Sequence, residues 1–356
     1  SRGNSQYLDL NRDFIKGDSK EALSFSTIFQ ECDPVVFIDN HVSNGADYQH
    51  VMTLLTSQPS KLGGVMENFL RTKFEPALYA GMKEKGYDMI PYVNAYGDKP
   101  ENGWSTYWDS PRYTSGYATL WNSFAFVPET HMLKPYDQRV MATLALMENF
   151  IAFTGKNATE MQELRNKTKQ AVATATAFPI KWKLDKTGFT EYTFKGFESG
   201  NKPSEVSGLP RLYYDRSKPF TKTIKIYDKF VPEVIIEKPK AYIIPQGWWK
   251  VIDRLKINQV KMVPLKKDTS IAVEWYQIED YKTSPRQYEM HHLNSDVIVT
   301  KQTGIKTFRK GDWVIELDQT ANRFLMETLE PQAEDSYFAW NFFDAILGQK
   351  EGYSAY

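Results

Sequence analysis

The chain has 356 residues, of which 44 are basic and 44 acidic, and 41% of its residues are hydrophobic. This balance is typical of a folded globular protein and argues against the concentrated positive charge of a protein that binds nucleic acid or an anionic membrane surface. The single cysteine, Cys32, excludes an intramolecular disulfide and a thiolate zinc cluster, so a bound metal would need histidine and carboxylate ligands. No segment approaches the roughly 20 apolar residues of a membrane-spanning helix.

Helices and short strands alternate in the first part of the chain. The Asp18-Ser19 pair, followed by an apolar stripe, predicts a helix that ends near Cys32. The β-branched run 35–39 predicts a buried strand that ends in Asn40 and His41. By the same criteria we expect helices within 59–85, a strand near 89–93, a long loop over 94–116, a strand over 123–127 and a long helix from about 135 to 177. Strands that end in polar residues are what an open α/β sheet needs to build a site.

The pattern changes after Phe178 to alternating β-type segments separated by Gly, Pro and Ser. We therefore predict two domains, residues 1–180 and residues 181–356, the second being β-rich with a few helices. Within the second domain the pattern predicts a helix over 246–255, strands between 271 and 314 that include His291 and His292, and a closing aromatic helix over 337–347.

Three elements carry candidate chemistry. His41 ends a strand and precedes a glycine-bearing loop, a position suited to a metal ligand. Asn11 and Arg12 offer an adjacent amide and guanidinium suited to gripping a carboxylate, and Glu129 follows a second strand. Taken singly, they have ordinary interpretations: a hydrogen-bonded structural histidine, a loop salt bridge and a surface acid. Together they are the parts of a metallo-exopeptidase.

In this order the segments resemble the carboxypeptidase A-like family of zinc carboxypeptidases, especially its larger bacterial members with an added C-terminal β domain. The resemblance covers residues 2–139. It implies an α/β fold: a mixed-sheet, three-layer carboxypeptidase-like domain followed by a β-rich C-terminal domain. It also implies a zinc ion and a peptide substrate with a free C-terminal carboxylate.

The resemblance assigns roles residue by residue. His41 matches the third zinc ligand, and Asn11 and Arg12 match the pair that holds the terminal carboxylate of the substrate. Arg2 fits the arginine that polarises the scissile carbonyl, and Glu129 matches the catalytic glutamate. Tyr113 is the best match to the family's flexible tyrosine, with Tyr107 and Tyr117 as alternatives.

One departure concerns the metal. The family holds zinc with a His-x-x-Glu pair placed before the Asn-Arg element, and this sequence contains no His-x-x-Glu. We expect that the N-terminal part of the domain is missing from this chain, and that the Val35 to Asp39 strand therefore exposes an unpaired edge that a further segment or polypeptide fills.

The sequence thus predicts a zinc metallocarboxypeptidase that hydrolyses C-terminal peptide bonds, with Glu129 as general base. Two alternatives stay open: a cell-wall peptide or amide hydrolase with the same zinc chemistry, and a catalytically inactive relative that binds peptides or glycans. The resemblance also implies secretion or a periplasmic location.

Overall fold

The structure is a computed structural model, and it describes residues 2–96, 98–348 and 351. The α-helices are α1 (Lys20–Cys32), α2 (Pro59–Leu62), α3 (Gly64–Phe69), α4 (Glu75–Glu84), α5 (Thr114–Leu120), α6 (Tyr136–Thr174), α7 (Trp249–Ile257) and α8 (Asn322–Leu329). A π-helical turn over Leu70–Phe74 joins α3 to α4, and short 3-10 helices lie at Leu10–Arg12, Pro100–Asn102, Gln246–Trp248 and Asp344–Ile346.

The strands of the first half of the chain are short, and the longest strands lie in the second half. The strands are β1 (Val36–Ile38), β2 (His41–Ser43), β3 (Met52–Thr56), β4 (Ile90–Pro91), β5 (Trp104–Ser105), β6 (Phe124–His131), β7 (Ala177–Leu184), β8 (Thr190–Pro203), β9 (Pro210–Tyr227), β10 (Phe230–Glu237), β11 (Ala241–Ile244), β12 (Val263–Pro264), β13 (Thr269–Thr283), β14 (Asn294–Phe308) and β15 (Trp313–Glu316).

A mixed sheet centred on β6 organises the first half. β1 and β2 both pair with β6 in parallel, β3 pairs with its other side in antiparallel, and β4 extends the sheet beyond β3. Within β6 every residue is buried. Such a strand, paired on both sides, holds its side chains at fixed positions relative to the neighbouring strands.

Successive β6 residues enter different hydrophobic clusters, because side chains alternate between the two faces of a strand. Phe124 and Phe126 pack in one cluster with residues of α3, α4 and α6, whereas Ala125 packs in another with residues of α1, α5, α7 and α8. Helices therefore cover both faces of this sheet. The expectation of an α/β fold with a mixed sheet is confirmed at this level.

The β-rich character of the second half is also confirmed. β8 and β9 form a long antiparallel hairpin extended by β5, β13 and β14 form another, β7 pairs with β10, and β15 lies between β11 and β12. Phe29 from the first half nevertheless shares a cluster with Leu255 and Trp340 from the second. The division at residue 180 stays a prediction.

Several local predictions are confirmed. Ser19 caps α1 by accepting a hydrogen bond from the Ala22 N–H, and the long helix is present as α6.

Two predicted segments have different bounds in the structure. The predicted strand at 123–127 continues to His131, so Glu129 lies inside β6 and not after it. Helix α5 begins at Thr114, inside the segment expected to be loop.

Three predictions are wrong. No helix spans 337–347: the segment forms turns and a short 3-10 helix, and Asn341 has a φ of 63°, outside the helical range. His291 and His292 lie between β13 and β14, not in a strand, after Glu289 and Met290 with positive φ. β1 is half-buried and not buried, because β6 is its only strand partner within the described chain.

Among the described residues, no helix combines the length and the apolar character needed to cross a bilayer.

Candidate active site

Strand register brings His41 and Glu129 together. They are partner residues on the neighbouring parallel strands β2 and β6, although 88 positions separate them in the sequence. The His41 Nδ1 atom lies 3.7 Å from Glu129 Oε1. A histidine and a carboxylate at paired positions of adjacent strands are close enough to contact the same bound group.

Asp39 orients the His41 ring. The Asp39 Oδ2 atom lies 2.8 Å from His41 Nε2 and accepts a hydrogen bond of 2.5 Å from Thr114 Oγ1. The hydrogen bond to Asp39 raises the pKa of His41, with burial opposing and the Glu129 charge contributing. Because Asp39 binds Nε2, Nδ1 is the ring nitrogen that faces Glu129. In metal sites a carboxylate often binds one ring nitrogen of a histidine in this way and leaves the other nitrogen to bind the metal.

Glu129 is a buried acid with incomplete hydrogen bonding. Its side chain is 12% exposed, and its Oε2 atom has no hydrogen-bond partner among the described residues. Burial raises its pKa to about 7, with the positive charge of His41 opposing. A buried polar atom without a partner requires an explanation in a folded protein, and a carboxyl group with a pKa near neutrality is suited to exchange a proton.

Asn11 and Arg12 lie in the 3-10 helix that Asp9 caps. Asp9 Oδ1 accepts a 3.0 Å hydrogen bond from the Asn11 N–H, and Arg12 Nη1 donates to the Asn11 carbonyl at 2.7 Å. The Arg12 guanidinium lies 4.6 Å from the centre of the Tyr113 ring. Contacts on both sides therefore hold the Arg12 side chain in place, and 19% of it remains exposed.

Arg2 binds the same Asp9 carboxylate that caps the 3-10 helix of Asn11 and Arg12. Its Nε donates to Asp9 Oδ2 at 2.6 Å, and 71% of its side chain is exposed. Asp9 is itself fixed from the second half of the chain, because its N–H donates to Glu289 Oε2 at 2.8 Å. Asp9 thus ties Arg2 to the Asn11-Arg12 helix.

The structure separates the three tyrosine candidates. Tyr113 precedes α5, and its ring centre lies 5.3 Å from that of Tyr107. Tyr117 is fully buried and donates a 2.6 Å hydrogen bond to Asn258 Oδ1, so it has no access to a bound molecule. Tyr113 and Tyr107 are the candidates that reach the site.

All the candidate residues except Tyr117 line one cavity of about 410 Å³. Its lining includes Arg2, Asn11, Arg12, His41, Tyr113 and Glu129, together with Val42, Ser43, Asn44, Leu55, Tyr92, Tyr96, Tyr107, Thr114, Ser115 and Val127. The volume is within the range of small-molecule sites. Two guanidinium groups at the cavity wall suit an anionic ligand, with Glu129 and His41 beside it.

The described residues do not form a complete catalytic zinc site. Catalytic zinc takes three protein ligands, and His41 offers a single imidazole nitrogen. Within residues 2–96, 98–348 and 351, no group of three or more His, Cys, Asp or Glu side chains is arranged to hold a metal ion.

Five residues at or beside the site have no role predicted from the sequence: Asp9, Asp39, Thr114, Tyr92 and Tyr96. Asp39 had a usable signal, because residues two apart in an extended segment share a face, which places it beside His41. Asp9 likewise precedes the Asn-Arg pair at a helix-capping distance. The two tyrosines carried no pattern, since their positions depend on the fold of a long connecting segment.

Comparisons with protein-family models, with curated proteins and with solved structures found no match to this chain.

Proposed function

We propose that this chain contributes the carboxylate-binding and proton-transfer residues of a zinc-dependent metallocarboxypeptidase. The observation that carries the proposal is the single cavity in which Asn11, Arg12, His41 and Glu129 meet. The proposed fold is accordingly the three-layer carboxypeptidase type, with the β-rich segment as an extension.

Arg12 and Asn11 provide the specificity in this proposal. A guanidinium and an amide bind a carboxylate through charge-assisted hydrogen bonds, which contribute about 1.5 to 3 kcal/mol each. Arg12 is suited to this because its contacts with the Asn11 carbonyl and the Tyr113 ring fix its orientation before a ligand arrives. A peptide without a free C-terminal carboxylate would leave these groups unpaired.

Glu129 is the proposed general base. Its unpartnered Oε2 can accept a proton from a water molecule, and its pKa of about 7 allows the proton to pass on to the leaving amine. Arg2 is the proposed group that polarises the substrate carbonyl, and it would have to turn part of its guanidinium away from Asp9 to do so. A zinc ion held by His41 and two further ligands would supply Lewis-acid activation of the carbonyl and the water.

The two further ligands require a location, and an exposed apolar surface supports a proposal for it. Tyr136, Val140, Leu144 and Ile151 form an apolar stripe along α6, and each is at least 44% exposed. Met147 continues the same helical spacing. Its Sδ lies 3.9 Å from Nδ2 of Asn40, a residue of the segment that connects β1 to β2. The stripe therefore runs beside the sheet edge at which β1 and β2 lack a second strand partner among the described residues. We propose that polypeptide covering this edge completes the metal site.

Hydrolysis by the full-length protein, loaded with zinc, tests the proposal. The substrates are an N-terminally blocked peptide with a free C-terminal carboxylate and the same peptide as its amide. We expect cleavage of the acid only, loss of cleavage on treatment with a chelator, and a KM about 10 to 100 times higher in Arg12→Ala. Arg286→Ala, at an exposed position, is the matched control and should behave as wild type.

The same experiment separates the alternatives. Equal cleavage of the acid and the amide would favour the cell-wall peptide or amide hydrolase. Binding of the acid without cleavage of any peptide would favour a binding protein. Loss of activity in Arg286→Ala equal to that in Arg12→Ala would remove the specific role of Arg12.

A further inference from the structure

We propose that a second groove, next to the candidate cavity, is an extended subsite for peptides that carry acidic side chains upstream of the cleaved bond. This inference rests on the proposed function and extends it to a substrate class. The groove has a volume of about 1000 Å³ and lies between the β8–β9 hairpin and the segments that follow β2 and β4. It adds a wall from the second half of the chain to a site built in the first.

The groove continues from the cavity. Tyr96 lines both, and the segment after His41 passes from one to the other: residues 42–44 line the cavity and residues 45–47 line the groove. Asn11 and Arg12 line the cavity only. A peptide whose terminal carboxylate lies at Arg12 would therefore reach the groove with residues on the amino side of its cleaved bond.

The charge of the groove favours anions. Lys99, Lys202 and Arg211 line it, and none of them forms a salt bridge within the described part of the chain. Of the two acids in the lining, Asp47 is already paired, with Arg216 Nε at 2.6 Å and Lys134 Nζ at 3.4 Å. The remaining positive charge is complementary to aspartate or glutamate side chains.

The other acid of the groove is engaged locally. Asp98 Oδ1 accepts hydrogen bonds from Asn102 Nδ2 at 2.8 Å and from the Lys99 N–H at 2.7 Å. Asp98 keeps its negative charge and offsets one of the three unpaired lining cations, so the lining retains a net positive charge. Tyr213 adds apolar surface, and the Lys202 Nζ atom lies 5.5 Å from its ring centre.

Hydrogen bonds and an ion pair attach the β8–β9 hairpin to the segment between β2 and β3. Gln49 Nε2 donates to the carbonyl oxygens of Gly196 at 2.8 Å and Phe220 at 3.1 Å, one on each hairpin strand. Arg216 on β9 binds Asp47 at the start of the groove. Because these contacts fix the hairpin relative to the segment that carries His41, the groove can select among substrates.

Binding of four labelled peptides to the full-length protein tests this subsite. The peptides share one length and combine a C-terminal acid or amide with either two glutamates or two glutamines placed three to six residues before the C-terminus. We expect the glutamate peptides to bind about three to ten times more tightly at low salt, as ion pairs at an accessible surface do. The preference should shrink at high salt.

Two variants assign the preference. Lys202→Gln with Arg211→Gln should abolish the glutamate preference and leave the acid-over-amide preference intact. The matched control, Lys218→Gln with Lys225→Gln, changes two exposed lysines of β9 outside the groove lining and should keep both preferences. Arg12→Ala should do the reverse of the groove variant, losing only the acid-over-amide preference.

The two proposals therefore fail separately. Equal binding of glutamate and glutamine peptides by the wild-type protein would overturn the subsite. A preference that survives in Lys202→Gln with Arg211→Gln, or that disappears in the control, would also overturn it. Equal binding of acids and amides would instead count against the proposed carboxylate site.

Discussion

Two histidine–aspartate pairs in this molecule have nearly the same geometry and different surroundings. His41 Nε2 lies 2.8 Å from Asp39 Oδ2, and His291 Nε2 lies 2.7 Å from Asp18 Oδ2. Around His291 the interaction is closed: Asp18 also binds Lys16 at 2.8 Å, and the His291 ring stacks on Phe342. Around His41 it is open, since Nδ1 faces Glu129 and a cavity.

The difference shows that a hydrogen-bonded histidine becomes a candidate functional group only when one side of it is left available. Lys16 and Asp13 are both fully buried, and Lys16 Nζ binds Asp13 Oδ1 at 2.7 Å. That cluster satisfies its own charges and joins the first residues of the chain to α7 through Arg254, which bonds the Gly17 carbonyl at 2.9 Å. Glu129 instead keeps an oxygen that has no hydrogen-bond partner in the part of the chain that the structure describes.

The largest expected effect is at the open site. If Glu129 is the general base of the proposed zinc carboxypeptidase, Glu129→Gln, which keeps the size of the side chain, should lower kcat of the zinc-loaded full-length protein about 1000-fold with KM little changed. This corresponds to about 4 kcal/mol in the activation barrier. Steady-state hydrolysis of a peptide with a free C-terminus measures it.

Its control is Glu191→Gln, the same change at an exposed position of β8, which should leave kcat unaltered. The thermal unfolding midpoint of Glu129→Gln should match or exceed that of wild type, because the substitution removes a negative charge that burial disfavours. A fall in kcat accompanied by a large loss of stability would assign Glu129 a structural role.

Substitutions in the cluster of Asp13, Lys16, Asp18 and His291 should lower the stability of the fold and leave carboxylate binding unchanged. Lys16→Met removes the buried cation between Asp13 and Asp18, and we expect a loss of about 3 kcal/mol in the free energy of unfolding, as for other broken buried pairs. Urea unfolding measures this loss. Lys20→Met, at an exposed position in the first turn of α1, is the control. A change in carboxylate binding equal to that of Arg12→Ala would show that the two regions are not independent.

The stability that Asp18 contributes to this cluster should depend on pH. Burial acts to raise the pKa of Asp18, but hydrogen bonds from His291 and Lys16 outweigh it and hold the pKa below the ordinary value. A lowered carboxyl pKa contributes stability above the unfolded-state value of about 4, and this contribution is lost as the pH falls through the folded-state pKa. Asp18→Asn should therefore cost about 2 kcal/mol at pH 7 and much less at low pH. Unfolding curves between pH 7 and pH 3 measure the difference, and a constant cost across that range would contradict it.

Local patterns predicted the elements of the first half well, because caps and apolar periodicity act within a few residues. Ser19 and the run around Phe37 placed α1 and β1 correctly. The register that sets His41 opposite Glu129 was not available from any such pattern, since it depends on contacts between residues far apart in sequence. Roles for both residues came from resemblance, and the structure independently places them side by side.

The failures have physical causes as well. The aromatic segment 337–347 has the apolar content of a helix, but Trp340 and its neighbours are buried in turns by tertiary packing. β1 has the composition of a buried strand, yet its exposure is set by the number of strands beside it. The amino-acid composition of a segment indicates how much apolar surface it can bury. It does not indicate which helices and strands pack against that segment in the fold.

The smallest expected effect tests how the open site holds Arg12. If the Tyr113 ring orients the Arg12 guanidinium by cation–π contact, Tyr113→Phe should bind a C-terminal acid as wild type does. Tyr113→Ala should bind it about two to five times more weakly, since such a contact at an accessible site contributes about 0.5 to 1 kcal/mol. Tyr107→Ala, which removes the neighbouring ring, is the matched comparison. A fall in kcat for Tyr113→Phe, with binding unchanged, would instead assign the hydroxyl a part in the reaction and place Tyr113 beside Glu129 among the groups that act on the substrate.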